Sequence, residues 1–223
     1  MNVRVTRYLQ GAREATGYAV IVDVFRAFTT AAFCVAAGAR EIVLVADHEE
    51  ALAMKRDDPS LFLTGEIGGR PIPGFDVGNS PSAIERLDLT GRRVVQRTSS
   101  GTQGVAAASR AARIVLGSFV VAEATVRLLH GADDVTVVAM GHGATEHSDE
   151  DEACARYIAA RLAGAPTNAA AAIAALWTDE KRDWPDWFPR RDAELACQVD
   201  RFDFALPVTR ESGRLVARPL RSA

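Results

Sequence analysis

The amino-acid sequence predicts an α/β fold: a three-layer α/β/α arrangement with a largely parallel or mixed central sheet and a C-terminal β-hairpin. Three observations carry this expectation. Short apolar runs at 18–24 (YAVIVDV), 41–46 (EIVLVA) and 134–140 (DVTVVAM) suit strands buried on both faces. Alanine-rich, helix-compatible segments alternate with them, as parallel sheets require of their crossovers. At 223 residues, with 48% hydrophobic and 25% charged side chains, the chain is long enough to bury a substantial core.

Taken in order, the strand at 18–24 leads into a helix over 29–39, which Gly38 is placed to end. A strand over 41–46 and a short acidic-fronted helix over 47–56 follow. Ser80-Pro81 marks the next helix start, with proline at the first helical position. A strand at 92–97 runs into TSSGT at 98–102, then a helix at 103–112 and a strand at 113–116. A helix over 118–130, the strand at 134–140 and a polar loop at 141–147 lead to a helix over 148–163. Ser148 and Asp151 there have the spacing of a capping box. The helix resumes over 166–177. Residues 178–192, rich in tryptophan and proline, have no clean period and read as an ordered surface segment or lid. The strands at 202–208 and 215–219 flank a turn and make the hairpin. Segments 18–46 and 92–117 resemble each other, which suggests a single domain over 1–223 with two similar α/β lobes, about 1–90 and 91–223.

A net charge of -3 argues against a general nucleic-acid or membrane-surface role. Three widely spaced cysteines without a CxxC pattern read as reduced thiols in a cytoplasm. No leader-like segment and no membrane-length apolar stretch are expected.

The most loop-like stretch is 65–81, GEIGGRPIPGFDVGNSP, with five glycines and three prolines. Apolar Ile67, Ile72, Phe75 and Val77 anchor it, and Glu66, Arg70, Asp76, Asn79 and Ser80 are its polar members. It reads as an ordered connector or as a functional loop. In a parallel sheet, ligands bind beyond the carboxyl ends of the strands. The loops at 23–29, 98–102 and 141–151 fall there and are expected to converge on one crevice. Asp23, at the tip of an apolar strand, is either a structural partner of Arg26 or a metal ligand or nucleophile. Thr98, Ser99, Ser100, Gly101 and Thr102 offer hydroxyls and amide N–H groups suited to an anion, or simple helix capping. The acidic run 149–152 suits a helix N-terminus. His142 and His147 read as solvated loop histidines rather than a metal pair. No GxSxG, HExxH or P-loop pattern is present. Several carboxylates with an anion cradle and arginines suit Mg²⁺ and a phosphoryl group.

Five ordered motifs then point to a family. They are DVFRA at 23–27, GE with GG at 65–69, GFDVGNSP at 74–81, TSSGT at 98–102 and SDEDEACA at 148–155. With RFDFALPV at 201–208, they resemble the 2-phosphosulfolactate phosphatase family over nearly the whole chain. The resemblance implies a Mg²⁺-dependent phosphatase converting (2R)-2-phospho-3-sulfolactate to sulfolactate and phosphate, a step of coenzyme M biosynthesis. It makes Asp23, Glu66, Asp76 and Asp151 the metal candidates, one of them doubling as nucleophile or general base. Arg26 and the loop Ser99–Thr102 would hold the phosphoryl oxygens, and Asn79, Ser80 and Arg97 the carboxylate or sulfonate. The implied partner is a small phosphorylated acid, with a homodimer as the open assembly state. The family pattern carries arginine where this chain has Ile67 and asparagine where it has Ser100. Two alternatives follow: a phosphatase for a different phospho-hydroxy acid, or a non-catalytic phosphate- or sulfonate-binding module.

Overall fold

The structure, a computed structural model, describes residues 1–174, 176 and 184–221. The first half of the chain runs β1 (Asn2–Arg7), α1 (Tyr8–Glu14), β2 (Tyr18–Val22), α2 (Ala27–Ala36), β3 (Glu41–Leu44), α3 (His48–Asp57), β4 (Phe62–Ile67), β5 (Arg70–Pro71), β6 (Val77–Gly78) and α4 (Pro81–Ile84). It continues with β7 (Arg93–Arg97), α5 (Gly101–Ala107), β8 (Arg113–Gly117), α6 (Ala122–Leu128), β9 (Asp134–Ala139), α7 (Asp149–Leu162), α8 (Ala169–Ala174), α9 (Arg190–Ala196), β10 (Phe204–Glu211), β11 (Arg214–Ala217) and β12 (Leu220–Arg221).

Among the described residues these strands make one sheet in the order β1-β9-β2-β8-β10-β11-β3-β7-β4-β5, with β12 on β10 and β6 on β4. Two parallel blocks stand out. In one, β1, β9, β2 and β8 run together; in the other, β3, β7 and β4 do. The hairpin β10–β11 separates them, antiparallel to β8 on one side and to β3 on the other. The expected C-terminal hairpin is therefore present, but it lies in the middle of the sheet. Three antiparallel steps set the two blocks in opposite senses.

Strand β2 shows why the runs are apolar throughout. Ala19 and Ile21 face the cluster built with α1, α2, α4 and α5, while Val20 and Val22 face the one built with α6 and α7. A third cluster seats Ala51 and Met54 of α3 against Val43, Leu63, Val95 and Val216. Helices thus cover both faces, giving the three expected layers. The expected helix over 118–130 is a 3₁₀ turn, Phe119–Val121, followed by α6. Of the stretch expected to be helical over 166–177, α8 covers Ala169–Ala174; residues 175 and 177 lie outside the described residues, as do 178–183 of the expected lid.

Candidate active site

Four strand-end loops open onto one cavity of about 470 Å³. Two follow β2 and β9 of the first parallel block, and two follow β4 and β7 of the second. The blocks run in opposite senses, yet residues at the carboxyl ends of both line the same cavity. The contact between them is tight. A Cβ on Gly101 would lie 2.9 Å from Asp23 Oδ2 and 2.8 Å from the Ala27 Cβ, so only glycine admits this approach. Ser100 Oγ donates to the Gly141 carbonyl at 2.8 Å.

Asp23, Glu66, Glu150 and Asp151 are all buried and all line the cavity. Asp23 ends β2, and its Oδ1 accepts from the Ala27 amide at 2.9 Å. Burial pushes its carboxyl up from 3.8 to about 7. The neighbouring Glu66 and Glu150 add to this, against the Ala27 and Gly101 amides. Asp151 accepts from the Val24 amide at 2.7 Å and from the Gly141 amide at 2.8 Å. Burial, then Asp23 and Glu150, hold it well above the usual carboxylate range. Here the expected capping box fails. Ser148 is the N-cap of α7 by backbone angle but makes no side-chain cap bond, and the Asp151 side chain is turned to the tips of β2 and β9 rather than back to the Ser148 amide. Ser148 instead lines the cavity, its Oγ buried with no hydrogen-bond partner among the described residues.

Glu66 ties the second block to the site. It accepts from the Ser99 amide, the Gly69 amide at 2.6 Å and Ser99 Oγ at 3.1 Å. Ser99 and Ser100 face the cavity, but Thr98, Thr102 and Arg97 do not line it. Thr98 and Thr102 brace the turn from within: each backbone amide donates to the other's hydroxyl. Arg97, at the end of β7, donates to the carbonyls of Ala46, just after β3, and of Glu66 in β4, and so braces the two neighbouring strand ends.

The opposite wall is aromatic: Phe25, Trp184, Trp187 and Phe188, with Pro185. Arg26 fixes it. Its Nη1 pairs with Asp192 at 2.8 Å and donates to the Trp187 carbonyl at 3.3 Å, and its Nη2 donates to the Gly69 carbonyl at 3.2 Å. The guanidinium lies 4.5 Å from the Phe188 ring centre and 5.5 Å from that of Trp187. Asp192 is fully buried and also accepts from Ser80 Oγ at 2.8 Å and from the amide and hydroxyl of Ser82. Ser80 is thereby a structural partner of Asp192 and α4, outside the cavity lining. Asn79 does line it, and its carboxamide oxygen is buried with no hydrogen-bond partner among the described residues.

Asp76 does not join the acids. Both its oxygens receive the Lys55 ammonium, at 2.7 and 2.8 Å, and one also accepts from the Leu63 amide. It pins the 65–81 loop to the end of α3 and lies outside the cavity lining, so it is set aside as a metal candidate. Ile67 is exposed beside Arg70 and does not line the cavity either. Glu150 and Asp192 are not among the site residues that the sequence predicts. Glu150 had a signal in being one of four consecutive acids at a helix start. Asp192 had none, since nothing local marks a lone aspartate as the partner of an arginine 166 positions away.

The acids fit Mg²⁺ in part. They are hard oxygen ligands; Glu66 and Glu150 raise the proton affinity of Asp23, and Asp23 and Glu150 raise that of Asp151, a conflict that a divalent cation would relieve. Among the described residues, however, no three His, Cys, Asp or Glu side chains gather as an ion cage. The set suits a cation held through one or two carboxylates with waters and phosphate oxygens, Mg²⁺'s usual mode.

Residues 5–194 match the family model described as 2-phosphosulpholactate phosphatase. A protein of Caldicellulosiruptor saccharolyticus named "Probable 2-phosphosulfolactate phosphatase" is 38% identical over 148 residues, 63% of this chain and 60% of that protein. One of Deinococcus radiodurans with the same name is 40% identical over 126 residues, 55% of this chain and 52% of the relative. Another, of Bacillus subtilis, is 35% identical over 160 residues, covering 70% and 68%. The matched region thus spans between about half and two thirds of these relatives' lengths. Among the described residues no helix is long and apolar enough to cross a membrane.

Proposed function

The chain belongs to the 2-phosphosulpholactate phosphatase family, and on that premise we propose that it is a Mg²⁺-dependent phosphatase acting on the phosphomonoester of a small 2-hydroxy acid. The observation that carries this reading is the meeting of Asp23, Glu66, Glu150 and Asp151 on one cavity, three of them held in place by backbone amides. Such a set binds no anionic substrate by itself. It needs a cation or protons first, which is the requirement of a metal-assisted phosphoryl site.

Mg²⁺, when bound, neutralises phosphoryl charge and holds the reacting oxygens. Asp151 and Glu66 would hold it, directly or through its waters. Asp23, with its carboxyl near neutrality, is suited to take a proton from the attacking water. The water oxygen bonds to phosphorus, the bond from phosphorus to the substrate's 2-oxygen breaks, and that oxygen leaves with a proton as the free hydroxy acid. Ser99 and Ser100, which line the cavity, would meet the phosphoryl oxygens, with Arg26 as the nearby cation, and Asn79 and Ser148 would offer polar atoms to the carboxylate. The relatives' name makes (2R)-2-phospho-3-sulfolactate the first substrate to test. With that substrate the protein would be a cytoplasmic enzyme of coenzyme M biosynthesis.

The test is phosphate release from 2-phospho-3-sulfolactate and 2-phospholactate with Mg²⁺ and with EDTA. Release that depends on Mg²⁺ is expected. Full activity in EDTA would remove the metal from the mechanism. Thermal stabilisation by phosphate with no release from either ester would favour the non-catalytic binding module.

A further inference from the structure

The polar wall accounts for a phosphate and a carboxylate, but it does not explain why the other half of the cavity is aromatic. Trp184 and Phe188 stack with ring centres 4.7 Å apart at 22°, and Phe25 meets both edge-on at 6.0 and 5.7 Å. Trp187 lies flat on Gly69, where a Cβ would come within 2.2 Å of its ring. Gly69 sits at φ +83, so its lack of a side chain serves both the turn and the seat for the indole. Trp184 and Trp187 are half-buried and face the cavity. This is a built apolar surface within reach of the phosphoryl end.

Its electrostatics are poor for a second strong anion. Ring faces carry negative quadrupole density. Among the described lining residues there is no lysine, and the single arginine, Arg26, is paired with the buried Asp192 and packed under Phe188 and Trp187. His142 stands at the exposed mouth, on the polar side. A sulfonate placed against the aromatic wall would lose its hydration and gain no matching donor set among the described lining residues. An apolar group placed there would leave water for ring faces at favourable contact distance.

Resting on the phosphatase reading above, we infer that this site selects phosphomonoesters of 2-hydroxy acids that carry an apolar, aryl-sized substituent on C3, in place of the sulfonate. The phosphate and carboxylate remain on the acid-and-serine wall, and the substituent lies along Trp184, Trp187 and Phe188. The cavity is roomier than a three-carbon phosphorylated acid requires, which agrees with a larger occupant.

The experiment compares three esters on the wild-type chain in Mg²⁺: 2-phospho-3-phenyllactate, 2-phospholactate and 2-phospho-3-sulfolactate. Phosphate release gives kcat/KM, and tryptophan fluorescence titration gives binding of the same compounds. The expected result is a kcat/KM for the phenyl ester about tenfold or more above both others, carried mainly by KM. Trp187→Ala is expected to bring the phenyl-to-methyl ratio toward one; the wild-type ratio stands on its own if that variant does not fold. Equal rates for the three, or a preference for the sulfonate, would overturn the inference and leave the phosphatase reading in place. Release from none of them would overturn the phosphatase reading. Fluorescence would then decide the inference separately: tighter binding of the phenyl ester supports it, and equal or weaker binding overturns it.

Discussion

The two walls of the cavity are held by different means. On the polar wall three of the four carboxylates are fixed by main-chain amides from loops other than their own or from the next turn: Asp151 by Val24 and Gly141, Glu66 by Ser99 and Gly69, Asp23 by Ala27. These amides sit at the ends of sheet strands, so the acids inherit the rigidity of the sheet. Apart from Phe25, the aromatic wall comes from a segment more than 150 positions after Asp23, and among the described residues the buried pair of Arg26 with Asp192 is its charged hub. A wall built from strand ends suits chemistry that needs fixed geometry. A wall docked by side-chain contacts can change its side chains, and with them the preferred substrate, without disturbing the acids.

The strongest test of the polar wall is Asp23→Asn. Turnover is expected to fall by about 10²-fold or more, while the fold persists, because the amide is isosteric and removes a like-charge conflict. The same variant tests the electrostatics. A carboxyl raised from 3.8 to about 7 means that the folded chain keeps a proton which the unfolded chain has lost between those values. Its contribution to stability therefore falls as pH rises from about 4 to about 7 and is flat above, by up to about 1.4 kcal/mol per unit. Asp151 acts in the same direction. Without added metal the melting temperature is expected to be lower at pH 8 than at pH 5. Asp23→Asn should flatten that slope, and Mg²⁺ should raise the melting temperature more at pH 8. A metal-free protein equally stable at both values would show that the acids are not in conflict.

The aromatic wall is tested through its hub. Asp192→Asn leaves the buried Arg26 guanidinium without its counter-charge, and denaturant unfolding should show a loss of about 3–5 kcal/mol. Mg²⁺-dependent turnover at saturating substrate should suffer less than KM, since the acids keep their amide partners. A collapse of turnover with KM unchanged would mean that the hub serves the polar wall instead.

The same contrast explains what could be read from the sequence. The apolar runs that became β2, β3 and β9 specify strands buried on both faces, and Asp23, the 65–81 loop, TSSGT and the acidic run lie where the rule for strand ends puts a ligand. That much is local pattern plus one topological rule. The central position of the β10–β11 hairpin is not local, because Val208 pairs with both Ile114 and Ala217, and no periodicity encodes such partners. Nor is the split among the polar residues of the 98–102 loop, where Ser99 and Ser100 face the cavity while Thr98 and Thr102 bond to each other. Hydroxyl side chains at successive positions look alike until the backbone fixes which ones point inward.

Asp76 separates motif from chemistry at the smallest scale. It lies in the same glycine-rich stretch as Glu66 and Asn79, yet its carboxylate is taken up by Lys55 and the Leu63 amide, with the pair about a quarter to a third exposed. Asp76→Asn should cost about 1 kcal/mol or less, because a partly solvated ion pair contributes little and the amide can still accept from Leu63. Turnover and its Mg²⁺ dependence should be unchanged. A loss of Mg²⁺ activation in this variant, measured as the metal concentration for half-maximal rate, would return Asp76 to the metal site and require the loop to rearrange on binding. Retained activation would leave Asp23, Glu66, Glu150 and Asp151 as the acids that meet the substrate, and Asp76 as the pin that holds the loop while they do so.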